Sequence, residues 1–379
     1  MPESKKILVL SSHTKSLFWF RMDMMRSFLA HGYAVVAVGS EPEEEWREKF
    51  QKENIRYKSI PVSRNGLNPF GDLKTYHAIK QVVEDEKPDK IFCYQAKTVI
   101  YGTIAAHRTG IKEVYPLIAG LGSIFRGRGF KNAIVRQILK REYQVALRFA
   151  KRIMFQNHDD LDCFVQEKIV RREQTAIING SGVDTKHFTP SPFPEQMTFL
   201  MISRLIRDKG VFEYLETARD VRKSHRDVRF LLVGPYDTNP SALHPEELQQ
   251  FIADGSVEYL GELSDVRPAL AQATVYVLPS YHEGTPKTVL EAMACGRPVI
   301  TTDAPGCRET VQDGVNGYLV TPKDVASLVD AMNRMLAASS QELASLGAAS
   351  RRLAEEKYDV EIVNRQIQAV MGIEVIAGD

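Results

Sequence analysis

The sequence alternates short apolar runs of strand length with longer amphipathic runs, and it does so in two successive series. In the first series, strand-like runs such as Ile7–Leu10 and Lys90–Tyr94 are separated by helix-like runs such as Leu73–Glu86. Strands that alternate with helices of this length predict a parallel sheet covered on both faces. A second series begins at Thr198–Ile202, after a turn-rich stretch that ends with three prolines in residues 190–194.

Two such series predict an α/β fold of two Rossmann-like domains that face each other across a cleft. We expect the first domain over residues 1–190 and the second over 191–359, with the terminal helical segment 360–379 crossing back to the first. The length of 379 residues suits two or three domains of ordinary size. Ligands in such sheets bind beyond the carboxyl ends of the strands, so the loops after strands are the candidate sites.

Composition excludes several other classes of protein. Apolar residues make up 44% of the chain and charged residues 26%, as in soluble globular proteins rather than disordered or collagen-like chains. No apolar run reaches the roughly 20 residues needed to cross a bilayer, and Ile7–Leu10 is too short for the core of a signal peptide. We therefore expect a cytoplasmic protein. The four cysteines form no C-x-x-C pair, which argues against a zinc site or a disulfide.

The positive charges are unevenly distributed. The whole chain carries only +1, which gives no support to nucleic-acid binding. Residues 126–152 nevertheless hold nine basic residues and one acid, so this segment carries +8 and the remainder −7. Its apolar residues recur at helical spacing, as expected of a helix packed on the sheet. Such packing leaves the basic excess unexplained, and we predict peripheral contact with an anionic membrane on the cytoplasmic side.

A segment near residue 285 predicts a phosphate-binding loop. After the strand Val275–Leu278, Glu283 precedes a glycine-containing loop, and a helix is expected to begin near Pro286. Backbone N–H groups and the positive end of the helix dipole favour anions at such a start. The candidate donor-binding residues here are Gly284, Thr285, Pro286, Lys287 and, about one turn into the helix, Glu291.

A second loop of the same series carries two cations. Arg204 and Lys209 follow the strand Thr198–Ile202. Two fixed cations beside a helix N-terminus supply what a departing diphosphate needs without a metal. The alternative interpretation is a surface pair and a solvated helix cap.

These motifs together resemble a known family. The spacing Glu283-x7-Glu291, with Ser203-Arg204, Lys209-Gly210 and the segment 179–184, resembles the family-4 retaining glycosyltransferases of the GT-B fold. The resemblance implies a catalytic set of Glu283, Arg204, Lys209 and an N-terminal-domain residue. Arg204 and Lys209 would hold the diphosphate of a nucleotide sugar, Glu283 the transferred sugar and Glu291 the ribose. Gly234 and Leu260 would lie near the base.

A narrower resemblance comes from six short segments. Residues 11–13, 20–22, 67–70, 120–123, 233–241 and 306–309 resemble bacterial N-acetylgalactosaminyltransferases that extend sugar-diphospho-undecaprenol. This implies UDP-GalNAc or UDP-GlcNAc as donor and a polyprenyl-diphosphate sugar as acceptor, in capsule, O-antigen or glycoprotein glycan assembly. It also implies front-face attack without a metal cofactor.

The expected acceptor side departs from the family pattern. Many members carry a histidine at the end of an N-terminal-domain strand, whereas Leu117–Gly120 contains no ionisable group. His13, after the first strand, is the nearest replacement, either as a catalytic residue or as a structural one. The glycine-rich loop 120–129 is either an acceptor-diphosphate site or a connector. The candidate acceptor-binding residues are Lys97, Gly122, Ser123, Arg126 and Arg128.

Two other functions share this architecture. A UDP-sugar 2-epimerase would need clustered acid/base carboxylates and histidines, and the sequence indicates no such cluster. A non-catalytic glycan-assembly scaffold would not need the intact set of Glu283, Glu291, Arg204 and Lys209.

Overall fold

The computed structural model describes residues 4–62, 68–121, 130–238 and 241–374, with only the backbone for 130–132. The chain forms two compact units. The first comprises Met1–Ser181 and Val363–Asp379, and the second comprises Gly182–Ile362.

The first unit contains a seven-stranded sheet in which every neighbouring pair is parallel. Its strand order is β3-β2-β1-β4-β5-β6-β7. The strands are β1 (Lys6–Leu10), β2 (Ala34–Gly39), β3 (Arg56–Ser59), β4 (Lys90–Tyr94), β5 (Val114–Ile118), β6 (Ile153–Phe155) and β7 (Thr175–Ile177).

Helices cover both faces of this sheet. They are α1 (Thr14–Ala30), α2 (Glu43–Gln51), α3 (Pro69–Glu86), α4 (Ala96–Arg108), α5 (Phe130–Leu147) and α6 (His158–Gln166). Local chemistry fixes several starts: Asn68 accepts from the Gly71 N–H at 3.0 Å with Pro69 as the first residue of α3. The sheet and its helices bury two apolar clusters, one containing Ile79 and Ala146 and the other containing Phe28.

The second unit contains a six-stranded parallel sheet with the order β10-β9-β8-β11-β12-β13. Its strands are β8 (Thr198–Ile202), β9 (Arg229–Val233), β10 (Glu258–Tyr259), β11 (Val275–Leu278), β12 (Val299–Thr302) and β13 (Gly317–Val320). Its helices are α7 (Val211–Ser224), α8 (Pro245–Ala253), α9 (Arg267–Ala271), α10 (Lys287–Ala294), α11 (Val325–Ala337) and α12 (Ser340–Leu353). Strand residues such as Phe230 and Val277 form one core.

Both sheets have a topological switch point. In the first sheet the order reverses between β1 and β4, and in the second between β8 and β11. Connections leave these neighbouring strands in opposite directions, which opens a crevice beyond their carboxyl ends. The loops after β1, β4, β8 and β11 are therefore the places where each unit is built to bind a ligand.

The fold class predicted from the sequence, two Rossmann-like α/β domains, is confirmed by these two sheets. The chain divides after Ser181 rather than after residue 190, because Val183 already pairs with Asp359 of the second unit. The last helix, α13 (Val360–Met371), buries Val363 and Ile367 in the core of the first unit. Strand β7 and helix α9 are short elements that the sequence pattern missed.

Candidate active site

A partly buried ion pair joins the loops after β8 and β11. The Lys209 ammonium donates to Glu283 Oε1, and the Ser280 hydroxyl donates to the same oxygen at 2.7 Å. The side chains of Lys209 and Glu283 are 21% and 12% exposed, so water screens their attraction weakly. The pair lies at the switch point of the second sheet.

Backbone packing holds these two loops in contact. The Tyr281 N–H donates to Asp208 O at 2.9 Å. Gly210 has a φ of 74°, and a Cβ at this position would lie 2.1 Å from Pro279 O. Glycine is therefore required here both for its conformation and for the close approach.

A third loop, which follows β12, supports Glu283 from the other side. The Glu283 N–H donates to Pro305 O at 2.9 Å. Gly306 has a φ of 79°, and a Cβ there would lie 2.2 Å from Glu283 O. The position of Glu283 thus depends on three loops that follow strands, β8, β11 and β12, rather than on its own loop alone.

The Glu283 carboxyl is held in its charged form. Burial raises its pKa, but the Lys209 ammonium and the Ser280 hydroxyl outweigh burial, so the pKa lies below its ordinary value. A carboxylate in this state accepts hydrogen bonds from hydroxyl groups and is a poor proton donor at neutral pH. This suits the predicted role of holding a sugar.

Helix α10 begins beside this ion pair. Pro286 is its N-cap and Lys287 its first residue, while Gly284 and Thr285 lie in the preceding loop. Four of the five candidate donor-binding residues of this segment, residues 284–287, are therefore consecutive at the start of the helix, and Glu291 lies about one turn further along it. The Tyr276 hydroxyl donates to Ile202 O at 3.0 Å and lies 2.7 Å from Thr288 Oγ1, which ties α10 to strands β8 and β11.

Glu291 lies inside α10 and is only 9% exposed. Burial raises the pKa of its carboxyl to about 7, with Lys287 acting in the opposite direction and Asp265 in the same direction. Within the described residues, no hydrogen bond to this carboxylate is found. Glu291 is therefore a buried carboxyl whose oxygens are available to a ligand.

Arg204 is the more exposed of the two predicted cations. Its guanidinium donates to Asp237 Oδ2 at 2.8 Å, and its side chain is 54% exposed. Asp237 follows β9, so Arg204 bridges two loops at the same edge of the sheet. The two predicted diphosphate cations are thus each paired with a different carboxylate.

The two residues predicted to lie near the base, Gly234 and Leu260, directly follow β9 and β10. A Cβ at Gly234 would lie 1.7 Å from Ser203 O, so this glycine is required for the packing of the strand ends. Leu260 is half-buried, and its N–H donates to Leu232 O at 2.9 Å. The Tyr259 hydroxyl donates to Gly234 O at 2.8 Å.

His13 lies after β1 as the N-cap of α1. Its Nε2 atom is 3.4 Å from Glu41 Oε1. Glu41 also accepts from the Thr14 N–H at 2.6 Å, and Thr14 Oγ1 lies 2.6 Å from the Tyr57 hydroxyl. Burial raises the pKa of Glu41, but its hydrogen bonds and His13 bring the pKa below its ordinary value. His13 therefore lies at the switch point of the first sheet beside a carboxylate.

Of the predicted acceptor-binding residues, Lys97 is the one that lies among the described residues. Lys97 donates to Asp72 Oδ1 at 2.5 Å, with exposed fractions of 16% and 11%, so its charge is paired within the first unit. The Tyr101 hydroxyl donates to the nearby Glu142 at 3.1 Å. The predicted residues Gly122, Ser123, Arg126 and Arg128 lie outside the described residues.

Helix α5 has an apolar outer face that the sequence pattern did not predict. Ile138, expected on the buried stripe, is 40% exposed, together with Ile134 at 46% and Val145 at 43%. Tyr143, Ala146 and Leu147, which the same stripe predicts to be buried, are buried. Arg141 and Arg148 are also exposed, and each follows an exposed apolar residue, Ile138 or Val145, by three positions. This spacing places the two arginines beside the exposed apolar residues. Among the described residues, no helix is long and apolar enough to cross a membrane.

Four residues of these loops escaped the sequence analysis: Ser280, Asp237, Glu41 and Gln95. Ser280 and Asp237 are polar residues in the loops that follow β11 and β9, and this position in the sequence was the available signal. Glu41 follows β2 at the same edge of the first sheet. Gln95 has a φ of 72°, a conformation that no sequence pattern reveals for a non-glycine residue.

Two family models match the chain. The model described as glycosyl transferase 4-like matches residues 6–157, and the model described as glycosyl transferases group 1 matches residues 196–338. Together they include both switch points. The predicted enzyme class is confirmed, and the 2-epimerase and scaffold alternatives receive no support from these matches.

Two similar proteins are named for lipid-linked sugars. The N,N'-diacetylbacillosaminyl-diphospho-undecaprenol alpha-1,3-N-acetylgalactosaminyltransferase of Campylobacter jejuni is 29% identical over 345 residues, covering 87% of this chain and 89% of that protein. The UDP-Gal:alpha-D-GlcNAc-diphosphoundecaprenol alpha-1,3-galactosyltransferase of Escherichia coli is 24% identical, covering 75% of each.

Solved structures share the fold over nearly the whole chain. HepE of Anabaena, crystallised with UDP and glucose, has a TM-score of 0.77 at 20% identity and covers 98% of this chain and 100% of that chain. Sucrose-phosphate synthase of Thermosynechococcus elongatus has a TM-score of 0.79 at 18% identity, with coverages of 97% and 98%. With its two Rossmann-like units and both family matches, the chain belongs to the glycosyltransferases of the group 1 and 4-like families.

Proposed function

We propose that this glycosyltransferase moves an N-acetylhexosamine or hexose, with retention of configuration, from a UDP-sugar to a polyprenyl-diphosphate-linked sugar. The single observation that carries the donor half is the Lys209–Glu283 pair with Ser280 at the switch point of the second sheet. The proposed acceptor is supported by the names of two relatives, which refer to sugars linked to diphospho-undecaprenol.

The donor half has distinct groups for each part of the substrate. Lys209 and Arg204 would neutralise the diphosphate, with the N-terminus of α10 adding its dipole. Glu283, held as a carboxylate, would accept hydrogen bonds from the transferred sugar. Glu291, buried and without a hydrogen-bond partner among the described residues, would accept hydrogen bonds from the ribose diol.

The chemistry requires little acid or base from the protein. In front-face attack the acceptor hydroxyl oxygen bonds to the sugar C1 as the bond from C1 to the diphosphate oxygen breaks. The hydroxyl proton passes to the departing diphosphate oxygen, so charges and atoms balance. The protein then contributes orientation and positive charge, which Lys209 and Arg204 carry. His13 beside Glu41 is the candidate N-terminal-unit residue near the acceptor.

The test is release of UDP that depends on the acceptor. Purified protein is incubated with UDP-GalNAc, UDP-GlcNAc or UDP-galactose and a short-chain polyprenyl-diphosphate sugar. We expect UDP and one extended lipid product, with the anomeric configuration of the donor retained by NMR. UDP-sugar epimerised without an acceptor, or no product with any of these pairs, would overturn the proposal.

We also propose that catalysis needs no metal. Two cations and a helix N-terminus supply the positive field that a divalent ion otherwise provides. Turnover is expected to survive excess EDTA. Loss of turnover with EDTA that is restored by magnesium or manganese would contradict this part of the proposal.

We further propose that α5 rests on an anionic membrane from the cytoplasmic side. The segment 126–152 carries +8, and its helix presents Ile134, Ile138 and Val145 to solvent. An exposed apolar face flanked by arginines is typical of helices that lie in the interface of a bilayer. This placement would bring the enzyme to a lipid-linked acceptor.

A further inference from the structure

Gln95 has an unusual backbone conformation at the switch point of the first sheet. It follows β4 and precedes α4 with φ 72° and ψ 142°, a region that favours glycine. Asn54, Lys87 and Lys168 also have positive φ, but they follow the ends of helices, where a left-handed cap is common, and Lys323 lies in the turn between β13 and α11. Gln95 instead begins a helix, so its conformation needs another reason.

The side-chain amide of Gln95 is fixed by the loop after β1. Its Oε1 atom accepts from the Ser12 N–H at 2.8 Å, and the hydroxyls of Ser12 and Ser11 lie at 2.6 and 2.9 Å. A backbone N–H can only donate, so the atom that faces Ser12 must be the oxygen. The orientation of the amide is therefore unambiguous.

The nitrogen of this amide is the group left for a ligand. With Oε1 held by Ser11 and Ser12, Nε2 turns away from them, and in the described part of the chain it has no hydrogen-bond partner. Gln95 is half-buried, so a ligand can reach this nitrogen. Strands β1 and β4 are the neighbours whose carboxyl ends open the crevice of this unit.

We infer that Gln95 binds the acceptor through its Nε2 atom. A side chain that presents two donors, with its acceptor already used, fits an oxygen that carries no proton. In a lipid-linked amino sugar such an oxygen belongs either to the N-acetyl group or to the diphosphate. The inference rests on the proposed acceptor and adds one specific contact to it.

The decisive variant is Gln95→Glu, which keeps the oxygen that binds Ser11 and Ser12 and replaces the two donors by an acceptor. We expect kcat/KM for the acceptor to fall at least about tenfold, while KM for the UDP-sugar changes less than about threefold. Gln249→Glu, an exposed position on α8, controls for the added charge. A residue that only tethered the two loops would tolerate Gln95→Glu.

Two acceptors distinguish the two sources of the oxygen. The ratio of wild-type to variant kcat/KM is measured on a short-chain polyprenyl diphosphate that carries an N-acetylhexosamine and on one that carries a hexose. A ratio that falls toward one on the hexose acceptor assigns the contact to the N-acetyl group, and an equal ratio assigns it to the diphosphate.

Other outcomes overturn the inference. Wild-type kinetics of Gln95→Glu on both acceptors would remove Gln95 from the acceptor site. If this variant does not fold, Gln95→Gly, which suits the backbone conformation, must show the same loss of acceptor kcat/KM. Absence of turnover by the wild type on both acceptors would overturn the proposed function and this inference with it.

Discussion

Lys209 and Glu283 form a partly buried ion pair that links the loop after β8 to the loop after β11. Each therefore holds the other in place before any substrate arrives. Ser280 adds a third polar group to the same Glu283 oxygen. If a diphosphate binds at Lys209, as proposed, it must share a cation that already has a partner, so the geometry of the pair would be part of donor binding.

The ion pair and Arg204 predict different behaviour for the two cations. Arg204→Ala removes an exposed side chain, so we expect turnover to fall at least about tenfold while stability changes by less than about 0.5 kcal/mol. Lys209→Ala leaves the Glu283 carboxylate buried without its cation, so we expect a similar loss of turnover and a loss of about 3 kcal/mol of stability. Steady-state kinetics and urea unfolding of both variants measure the difference.

A double variant separates stability from catalysis at this pair. Lys209→Met combined with Glu283→Gln removes both charges, so we expect much of the stability lost in the single Lys209→Met variant to return. Turnover should stay low because neither the cation nor the carboxylate is present. Recovery of turnover together with stability would show that the pair is structural only.

Gly306 offers a test of the loop that supports Glu283. Gly306→Ala places a Cβ 2.2 Å from Glu283 O, whereas Gly314→Ala, at a nearly equal φ of 75°, meets nothing within 4 Å. Both variants pay the same conformational cost of roughly 1 kcal/mol. We expect only Gly306→Ala to reduce turnover, because only it displaces the Glu283 backbone. Equal kinetics of the two variants would contradict this support.

Glu291 predicts a pH dependence of stability. Burial raises the pKa of its carboxyl from 4.5 to about 7. Between these values the folded protein keeps a proton that the unfolded chain has lost, so this residue lowers the free energy of unfolding as pH rises. At pH 8 we expect Glu291→Gln to have a free energy of unfolding up to about 3 kcal/mol above that of the wild type, and therefore a higher melting temperature. Near pH 4.5 the two proteins should melt at similar temperatures.

The same carboxyl predicts the pH dependence of donor binding. A ribose diol that donates to Glu291 favours the charged form, so the affinity of the wild type for a UDP-sugar, whose diphosphate does not titrate in this range, is expected to rise from pH 6 to pH 8. Glu291→Gln should bind the UDP-sugar more weakly and without this dependence. Calorimetric titrations at three pH values measure both effects, and a wild-type affinity that falls with pH would refute the ribose assignment.

Helix α5 predicts two separable contributions to membrane binding. Arg141→Gln with Arg148→Gln should weaken binding to anionic vesicles about tenfold or more, since each basic residue contributes about 1 kcal/mol near such a surface. Ile134→Ser with Ile138→Ser should weaken the part of the binding that persists in high salt. Vesicle flotation measures both.

A pair of basic residues on the second unit provides the control. Lys223→Gln with Arg226→Gln removes the same charge from a different surface and should leave vesicle binding unchanged. Equal flotation of the wild type and both α5 variants would remove the membrane role and leave α5 as a helix that covers the sheet.

Local sequence patterns predicted the order of the elements, and they also gave the candidate residues of the proposed donor site. Local patterns sufficed for the order of the elements, because strands such as β11 and β4 are short, continuous apolar runs. Such runs are typical of strands that are buried on both faces of a parallel sheet. The helix start near Pro286 also follows from local chemistry. Glu283, Lys209 and Arg204 follow strands of one sheet, so chain order alone brings them to one edge.

The partners of the charged side chains and the exposed faces of the helices depend on packing between parts of the chain that are distant in sequence. Lys209 pairs with Glu283 and Arg204 with Asp237 because loops far apart in sequence meet at the strand ends, and no spacing along the chain encodes those distances. Ile138 has the periodicity of a buried residue but lies outward, because the neighbours of α5 cover only the face that contains Tyr143 and Leu147. Periodicity defines a stripe on a helix, and packing determines where that stripe is covered.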